Sequence, residues 1–469
     1  MLRIWLTSFL ILAGGRWAAA ESPPTVTLDL SRCLEIALES NQRGRISRRA
    51  IEVAEAQLQQ ARSAYWPQVA LRATALWRDQ DPVFVIPAQS DTFRITGLLP
   101  TPVVTRVSVP PIEAPLLDRR HLATSLNLVY PIYTGGLRPS LTAQARAGVE
   151  AARQAARRSR LEVIRDTRHY YCGAILSRRL LQLAEEALAR LEVTMALTHA
   201  LSESATGRVT RADYLELKVV VESVRAAVAH LRANESTSRA AVVYAIGLPW
   251  NTELVLAEDD LPFEPVREEV AVLVEAGYRL NPDWHRLAAA IDAAGAQVDQ
   301  ALSGQRPTVA AAVSLEYLVN SYDAGLVSPD DKRSWAVGVA LEWPVFDGLR
   351  TRNTVRAARA RLDALQGQKI LLREGLALQV RSLLCEVART TAQEEAVRAA
   401  RDAAQENREL NTRAYQAGLV EVEDLIRAQM VEALAQAQYE LVRYEHAAAR
   451  ADLEFAVGDK LSRVVGGVE

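Results

Sequence analysis

Two copies of one unit make up most of this chain, which restricts it to architectures built by repeating a supersecondary module. Asn41 and Asn281 lie 240 residues apart, as do Pro67 and Pro307, and each Asn opens a stretch dense in Ala and Gln that ends at its Pro. Further on, Tyr130-Pro131-Ile132-Tyr133 answers Trp343-Pro344-Val345-Phe346 at a spacing of 213. Gly207 and Gly418, Asp213 and Asp424, and Gly247 and Gly458 are each 211 apart. The drop of 27 from 240 to 213 falls between Pro67 and Pro131, where Pro82, Pro87, Pro100, Pro102, Pro110, Pro111 and Pro115 crowd together. That composition predicts a long proline-rich loop over residues 79–119 of the first copy.

Each copy reads as helix, strand, loop, strand, long helix, turn, helix. Strands are expected at about 68–78 and 121–133, and again at about 308–319 and 335–346. Period-two alternation places Val69, Leu71, Ala73, Ala75 and Trp77 on one face of the first, and Leu122, Thr124, Leu126, Leu128 and Tyr130 on one face of the second. In copy two the matching sets are Val309, Ala311, Val313, Leu315, Tyr317 and Trp335, Val337, Val339, Leu341, Trp343. About ten residues is the length of a tilted membrane-spanning strand. Trp66, Trp77, Tyr130, Tyr133, Tyr322, Trp335, Trp343 and Phe346 sit near the strand ends, where an interfacial aromatic girdle would place them. Alternation alone allows a soluble four-stranded sheet with aromatic edges equally well.

The helices move that balance. From Pro139 to Ala205 no proline intervenes, and 67 residues at about 1.5 Å each make a rod of roughly 100 Å. Residues 350–416 repeat this, with partner helices expected at about 209–246 and 420–457. Helices of this length lie far outside the globular norm and imply a coiled-coil or tubular architecture. In the first partner helix Leu217, Val221, Val224, Val228, Leu231, Ser238 and Val242 follow a heptad, Glu235 excepted. The matching seam of copy two is mostly alanine with Glu432 and His446 among it, so it should pack closely and less dryly.

Charges balance at 55 basic against 57 acidic side chains, which removes the electrostatic footprint of a nucleic-acid binder. Six histidines and three cysteines are scattered without metal-ligand spacing, and the sequence has no nucleophile–base or phosphate-cradling motif. Neither an enzyme nor a cofactor is expected. Cys172 and Cys385 are repeat-equivalent, but equivalence does not supply the approach a disulfide needs. Arg48-Arg49, Arg157-Arg158 and Arg178-Arg179 read as solvated helix faces. Arg3, the apolar run from Ile4 to Ala13 and Ala18-Ala19-Ala20 read as a signal peptide over residues 1–20, so export is expected.

At this point the residues carry a resemblance. Leu28 to Asn41 resembles the first helix of the TolC-like outer membrane efflux proteins, and Ala61-Arg62-Ser63-Ala64-Tyr65-Trp66-Pro67 is similar to their helix-to-strand junction. Tyr130 to Gly136, Trp343 to Gly348 and Tyr415-Gln416-Ala417-Gly418 match further hallmarks, and together the motifs cover about residues 28–460. Departures are the missing lipidation cysteine, the long proline-rich loop, and Gln42 where a proline often follows the Asn.

The resemblance implies a mainly α fold with membrane β: a trimeric 12-stranded β-barrel, four strands per chain, continued by a long periplasmic α-helical barrel of coiled-coil hairpins. Four strands alone cannot close in a membrane, because unpaired strand edges are not tolerated in hydrocarbon and membrane barrels begin at about eight strands, whereas three chains supply twelve. Residues 21–248 and 268–460 form the repeats, joined by a linker over 249–267 and followed by a tail over 461–469. Implied partners are two further copies in a homotrimer, outer membrane lipid, a periplasmic adaptor (membrane fusion) protein, and an inner-membrane efflux pump or ABC transporter. The expected role is a passive exit channel for small molecules in the outer membrane, with a large periplasmic portion. A type I protein secretion channel is the alternative within the family; a soluble periplasmic coiled-coil adaptor is the alternative outside it.

Site expectations gather at the hairpin tips. Gly207, Arg208 and Val209, and Gly418, Leu419 and Val420, are the implied adaptor-docking tips. Asp424, with Glu421 and Glu423 beside it and Asp213 as its repeat equivalent, is the implied pore constriction. Ordinary helix chemistry also accounts for both features, since Gly ends helices and acids favour helix N-termini. Trp66, Trp77, Tyr130, Trp335 and Trp343 are the expected interface girdle.

Overall fold

A computed structural model describes residues 25–95, 103–116, 119–203, 210–319, 332–459 and 461. The expected signal peptide and Tyr322 lie outside them. Copy one runs β1 (Thr25–Leu28), α1 (Leu30–Ser40), α2 (Gln42–Ser63), β2 (Gln68–Trp77), β3 (Val83–Ile86), β4 (Gln89–Ile95), β5 (Val103–Val109), β6 (Ile112–Pro115), β7 (Arg120–Tyr133), α3 (Leu137–Glu203), α4 (Arg211–Ile246). After β8 (Glu253–Leu256), copy two runs α5 (Val270–Leu280), α6 (Pro282–Ser303), β9 (Thr308–Val319), β10 (Arg333–Glu342), α7 (Arg350–Gln416), α8 (Val422–Val457). Two compact units result: residues 51–152 with 286–369, and the remainder. Among the described residues no helix is long and apolar enough to cross a membrane.

The first unit holds an antiparallel sheet in the order β10-β9-β7-β2, so the two repeats meet at the β7–β9 pair. Register brings the four apolar sets onto one face: Leu71 lies opposite Leu126, Leu126 opposite Leu315, and Leu315 opposite Trp335. The alternate positions, among them Arg72, Thr74, Ser125, Asn127, Ser314, Glu316 and Ser334, share the other face. Within one chain β2 and β10 are edge strands exposed along their whole length.

The segment expected as a loop over 79–119 is instead a β-ribbon in its described part. β3 pairs with β6 and β4 with β5, and the Arg78 N–H donates to the Arg119 carbonyl at 2.7 Å, which continues the β2–β7 hairpin outward. Pro82, Pro87, Pro110 and Pro111 fall between the paired segments, where no ladder hydrogen bond is required of them. Their density hid the alternation of Val, Thr and Phe between them.

Two further boundaries differ for related reasons. β10 ends at Glu342, short of the expected 346, because Pro344 has no N–H to continue the ladder. β7 absorbs its own Pro131 through a register shift between Pro131 and Tyr133. The expected linker over 249–267 contains β8, which pairs in parallel with β1 and buries Leu254 and Leu256 beside Leu28. Strands of four residues are too short to show a period.

In the second unit the repeated asparagines serve one purpose twice. Asn41 separates α1 from α2; its amide donates to the Ala245 carbonyl at 2.7 Å and its Oδ1 accepts from the Arg43 N–H at 2.8 Å. Asn281 does the same with Ala456 and Asp283, at 2.8 Å each. The carbonyls belong to the ends of α4 and α8, which close on Gly247 and Gly458 at φ 75° and 93°. A Cβ on Gly458 would meet the Leu280 carbonyl oxygen at 2.7 Å, so only Gly both takes this turn and lets the α5 end approach.

Arg178 and Arg179 are not a free solvated face. Arg178 donates to the carbonyl of Leu256 at 3.1 Å, and Arg179 pairs with Asp260 at 2.6 Å, tying α3 to the segment after β8. Cys33 and Cys172 are buried thiols, each pushed up to about 12 by loss of hydration, while Cys385 is exposed; all three are free.

His446 on α8 is fully buried against Phe263, with Nε2 at 2.9 Å from the Glu264 carbonyl and Nδ1 at 3.1 Å from Thr390 Oγ1. Burial holds its pKa below the ordinary histidine value; Arg450 pushes the same way, while the Glu264 carbonyl and carboxylate and Glu394 oppose. The unfolded chain therefore takes up this proton first as pH falls through about 6.5, and the stability His446 confers is lost below that pH. Thermal unfolding measured from pH 7.5 to 5 should fall more steeply for the wild type than for His446→Gln. Equal slopes would show that the imidazole plays no part.

Candidate functional site

The chemistry of the tips begins with how the helices start. At α4, Thr210 Oγ1 accepts from the Asp213 N–H at 3.3 Å while Asp213 Oδ2 accepts from the Thr210 N–H at 2.8 Å, a reciprocal capping box. At α7, Gly418 has φ 72°; its N–H donates to the Tyr415 carbonyl at 3.0 Å and the Leu419 N–H to Ala414 at 2.9 Å, which closes the helix on a Schellman turn. The N-cap of α8 is Glu421, whose side chain makes no capping bond. Asp424, in the first turn, is half exposed and lies 3.6 Å from Arg427.

The repeat-equivalent acids therefore differ in use. Asp213 is bound by its own helix start, whereas Asp424 has only an exposed ion pair of small worth. Asp213 and residues 415–423 border one cleft with Leu201 and Thr210. Glu421 and Glu423 are exposed, Leu419 is exposed, and Val420 packs against the core of Leu191, Leu217, Tyr415 and Leu425. Gly207, Arg208 and Val209 lie outside the described residues. Asp213→Ala should lower thermal stability by about 1 kcal/mol by circular dichroism. A neutral effect on melting would mean the capping box is not formed in solution.

A polar ladder that was not expected from the sequence joins the two hairpins. Thr198 Oγ1 lies 2.9 Å from the Tyr415 hydroxyl, Gln429 donates to Thr194 Oγ1 at 3.3 Å, and Arg190 lies 3.4 Å from Glu432. Glu432 also receives two bonds of 3.1 Å from Arg408 on α7, and its side chain is 2% exposed. Arg190, Thr194 and Thr198 stand four residues apart on α3, a spacing that puts them on one helix face and was the available signal.

On the sheet, the aromatic residues fall into two bands. Trp77, Tyr317 and Trp335 lie toward the end away from the helices, and Tyr130, Trp66 and Trp343 toward the helix junctions. Trp77 and Trp335 are 75% and 74% exposed, and Leu71 and Val337 between the bands 70% and 67%, an apolar face left open in the single chain. Among the described residues no group of His, Cys, Asp and Glu could hold a metal ion.

Comparison with known proteins follows the same lines. The sequence matches the family described as outer membrane efflux protein over residues 117–248 and 278–459, more than half of the chain. It is 26% identical over 348 residues to protein CyaE of Bordetella pertussis, an alignment covering 74% of this chain and 64% of that protein. The chain thus spans slightly under two thirds of the length of that relative. In fold it is similar to a membrane protein from Pseudomonas aeruginosa, with TM-score 0.70 at 21% identity over 92% of this chain and 93% of that one. It is also similar to the CmeC outer membrane channel of Campylobacter jejuni, with TM-score 0.71 at 16% identity over 94% and 88%.

Proposed function

This chain belongs to the outer membrane efflux protein family, and from that premise we propose that three copies form a passive duct through the outer membrane for small molecules. The observation that carries the reading is the sheet: four antiparallel strands, one continuous apolar face, and two edge strands, β2 and β10, each paired on one side alone among the described residues. Open edges in hydrocarbon leave backbone donors and acceptors unsatisfied at several kcal/mol each. Pairing β2 of one copy with β10 of the next closes twelve strands around the polar face, which then lines the lumen. A soluble coiled-coil adaptor has no use for such a face.

The two helical hairpins continue the duct on the periplasmic side. An adaptor protein meets their tips at Gly418, Leu419 and Val420 and at the matching stretch Gly207 to Val209, and an inner-membrane pump supplies the cargo. Asp424, with Glu421 and Glu423, rings the narrow end. Native mass measurement of detergent-extracted protein should give three chains, and cysteines placed in β2 and β10 should crosslink between chains. A stable monomeric channel would overturn the closure argument.

A further inference from the structure

We propose that the end of the sheet away from the helices recognises anionic phosphate headgroups of membrane lipid, through Arg120 and Arg333. Arg120 opens β7 directly opposite Trp77, its guanidinium 4.3 Å from the indole ring centre. Arg333 opens β10 directly opposite Tyr317, at 5.8 Å from that ring. Both rings belong to the apolar face, so one cation stands on that face near each edge of the sheet, at the level of the outer aromatic band.

Among the described residues the contact of each guanidinium is its ring rather than a carboxylate, and Arg78, Arg119 and Lys332 at the same end likewise show no carboxylate pair there. Asp81 nearby accepts from the Arg119 backbone N–H at 2.6 Å instead. At the helix end the arginines are occupied: Arg138 donates to the Ile132 carbonyl at 2.8 Å and Arg306 to that of Gly135 at 3.2 Å. An arginine lying on an aromatic ring keeps its N–H fork free and pre-oriented, which suits the oxygens of a phosphate. Directly beside each fork runs the exposed apolar face, where acyl chains would lie. The ligand that meets a dry wall and a cationic fork together is an anionic phospholipid in the bilayer.

This inference rests on the barrel reading, and the experiment separates the two. Purified protein would be reconstituted in phosphatidylcholine vesicles with phosphatidylglycerol admixed, and the lipids retained after extraction counted by native mass spectrometry. The wild type should retain phosphatidylglycerol preferentially. Arg120→Gln and Arg333→Gln should each reduce that preference about fivefold at their own site, and Arg120→Lys should keep most of it. Millimolar inorganic phosphate should not compete; full competition would mark a general anion site and overturn the lipid assignment. Wild type that fails to insert into pure phosphatidylcholine would sink the barrel reading. Protein that inserts normally while the double variant keeps its preference would sink this proposal alone.

Discussion

Glu432→Ala is expected to destabilise the helical unit by about 3–5 kcal/mol, because it strands two arginines against a removed countercharge. The carboxylate is enclosed by Arg408, at 3.1 Å through both oxygens, and by Arg190 at 3.4 Å, with the two guanidinium side chains 20% and 29% exposed. These residues come from α8, α7 and α3, so the group fastens the second hairpin to the long helix of the first. An exposed pair would be worth little, and it is burial that raises the stakes. Replacing all three together, as Arg190→Met, Arg408→Met and Glu432→Leu, should recover most of the loss, since an apolar trio needs no desolvation of charge. Loss of the far-ultraviolet helical signal on heating measures both. A Glu432→Ala protein that melts with the wild type would mean water already reaches the site.

Glu432 also illustrates what the sequence could and could not reveal. Its place in the seam was legible, because it falls at a position whose copy-one counterpart is apolar. Its partners were not, since Arg190 lies 242 residues away and nothing in either helix's own period names the other. The long helices and the four strands of the larger sheet were legible for a similar reason: each is long enough for its period to repeat several times. β1, β8 and the ribbon strands β3 and β6 are four residues each and are defined by pairing, so no local signal announced them. In the ribbon, proline density pointed toward irregular backbone, whereas prolines at the joints are compatible with paired segments between them. At the tips the repeat aligns Asp213 with Asp424, and the basic Arg208 and Arg211 of copy one, where copy two carries Leu419 and Val422, already set the two acids apart. Only the Thr210 side chain, which copy two replaces with Glu421, separates a capped helix start from an uncapped one.

That difference sets the last expectation, which concerns Asp424 and rests on the proposed trimer. Glu421, Glu423 and Asp424 give each chain three carboxylates at the start of α8, and among the described residues Arg427, whose side chain is 71% exposed, is the cation that pairs with Asp424. Three chains around one axis would concentrate that excess of negative charge at the narrow end, and a ring of acids attracts cations. Asp424→Ala should therefore reduce or abolish cation preference, read as the reversal potential of single channels in planar bilayers under a salt gradient. The helix itself loses only a dipole contribution of about 0.3–1 kcal/mol per chain. Arg427→Ala should act in the opposite sense, strengthening cation preference by removing the screening partner. Asp213→Ala should leave selectivity nearly unchanged, because that carboxylate is spent on its own N-cap and copy one carries Arg211 one turn before Tyr214 where copy two carries Val422. Unchanged reversal potential in Asp424→Ala would reduce the residue to an ordinary acid in the first turn of a helix.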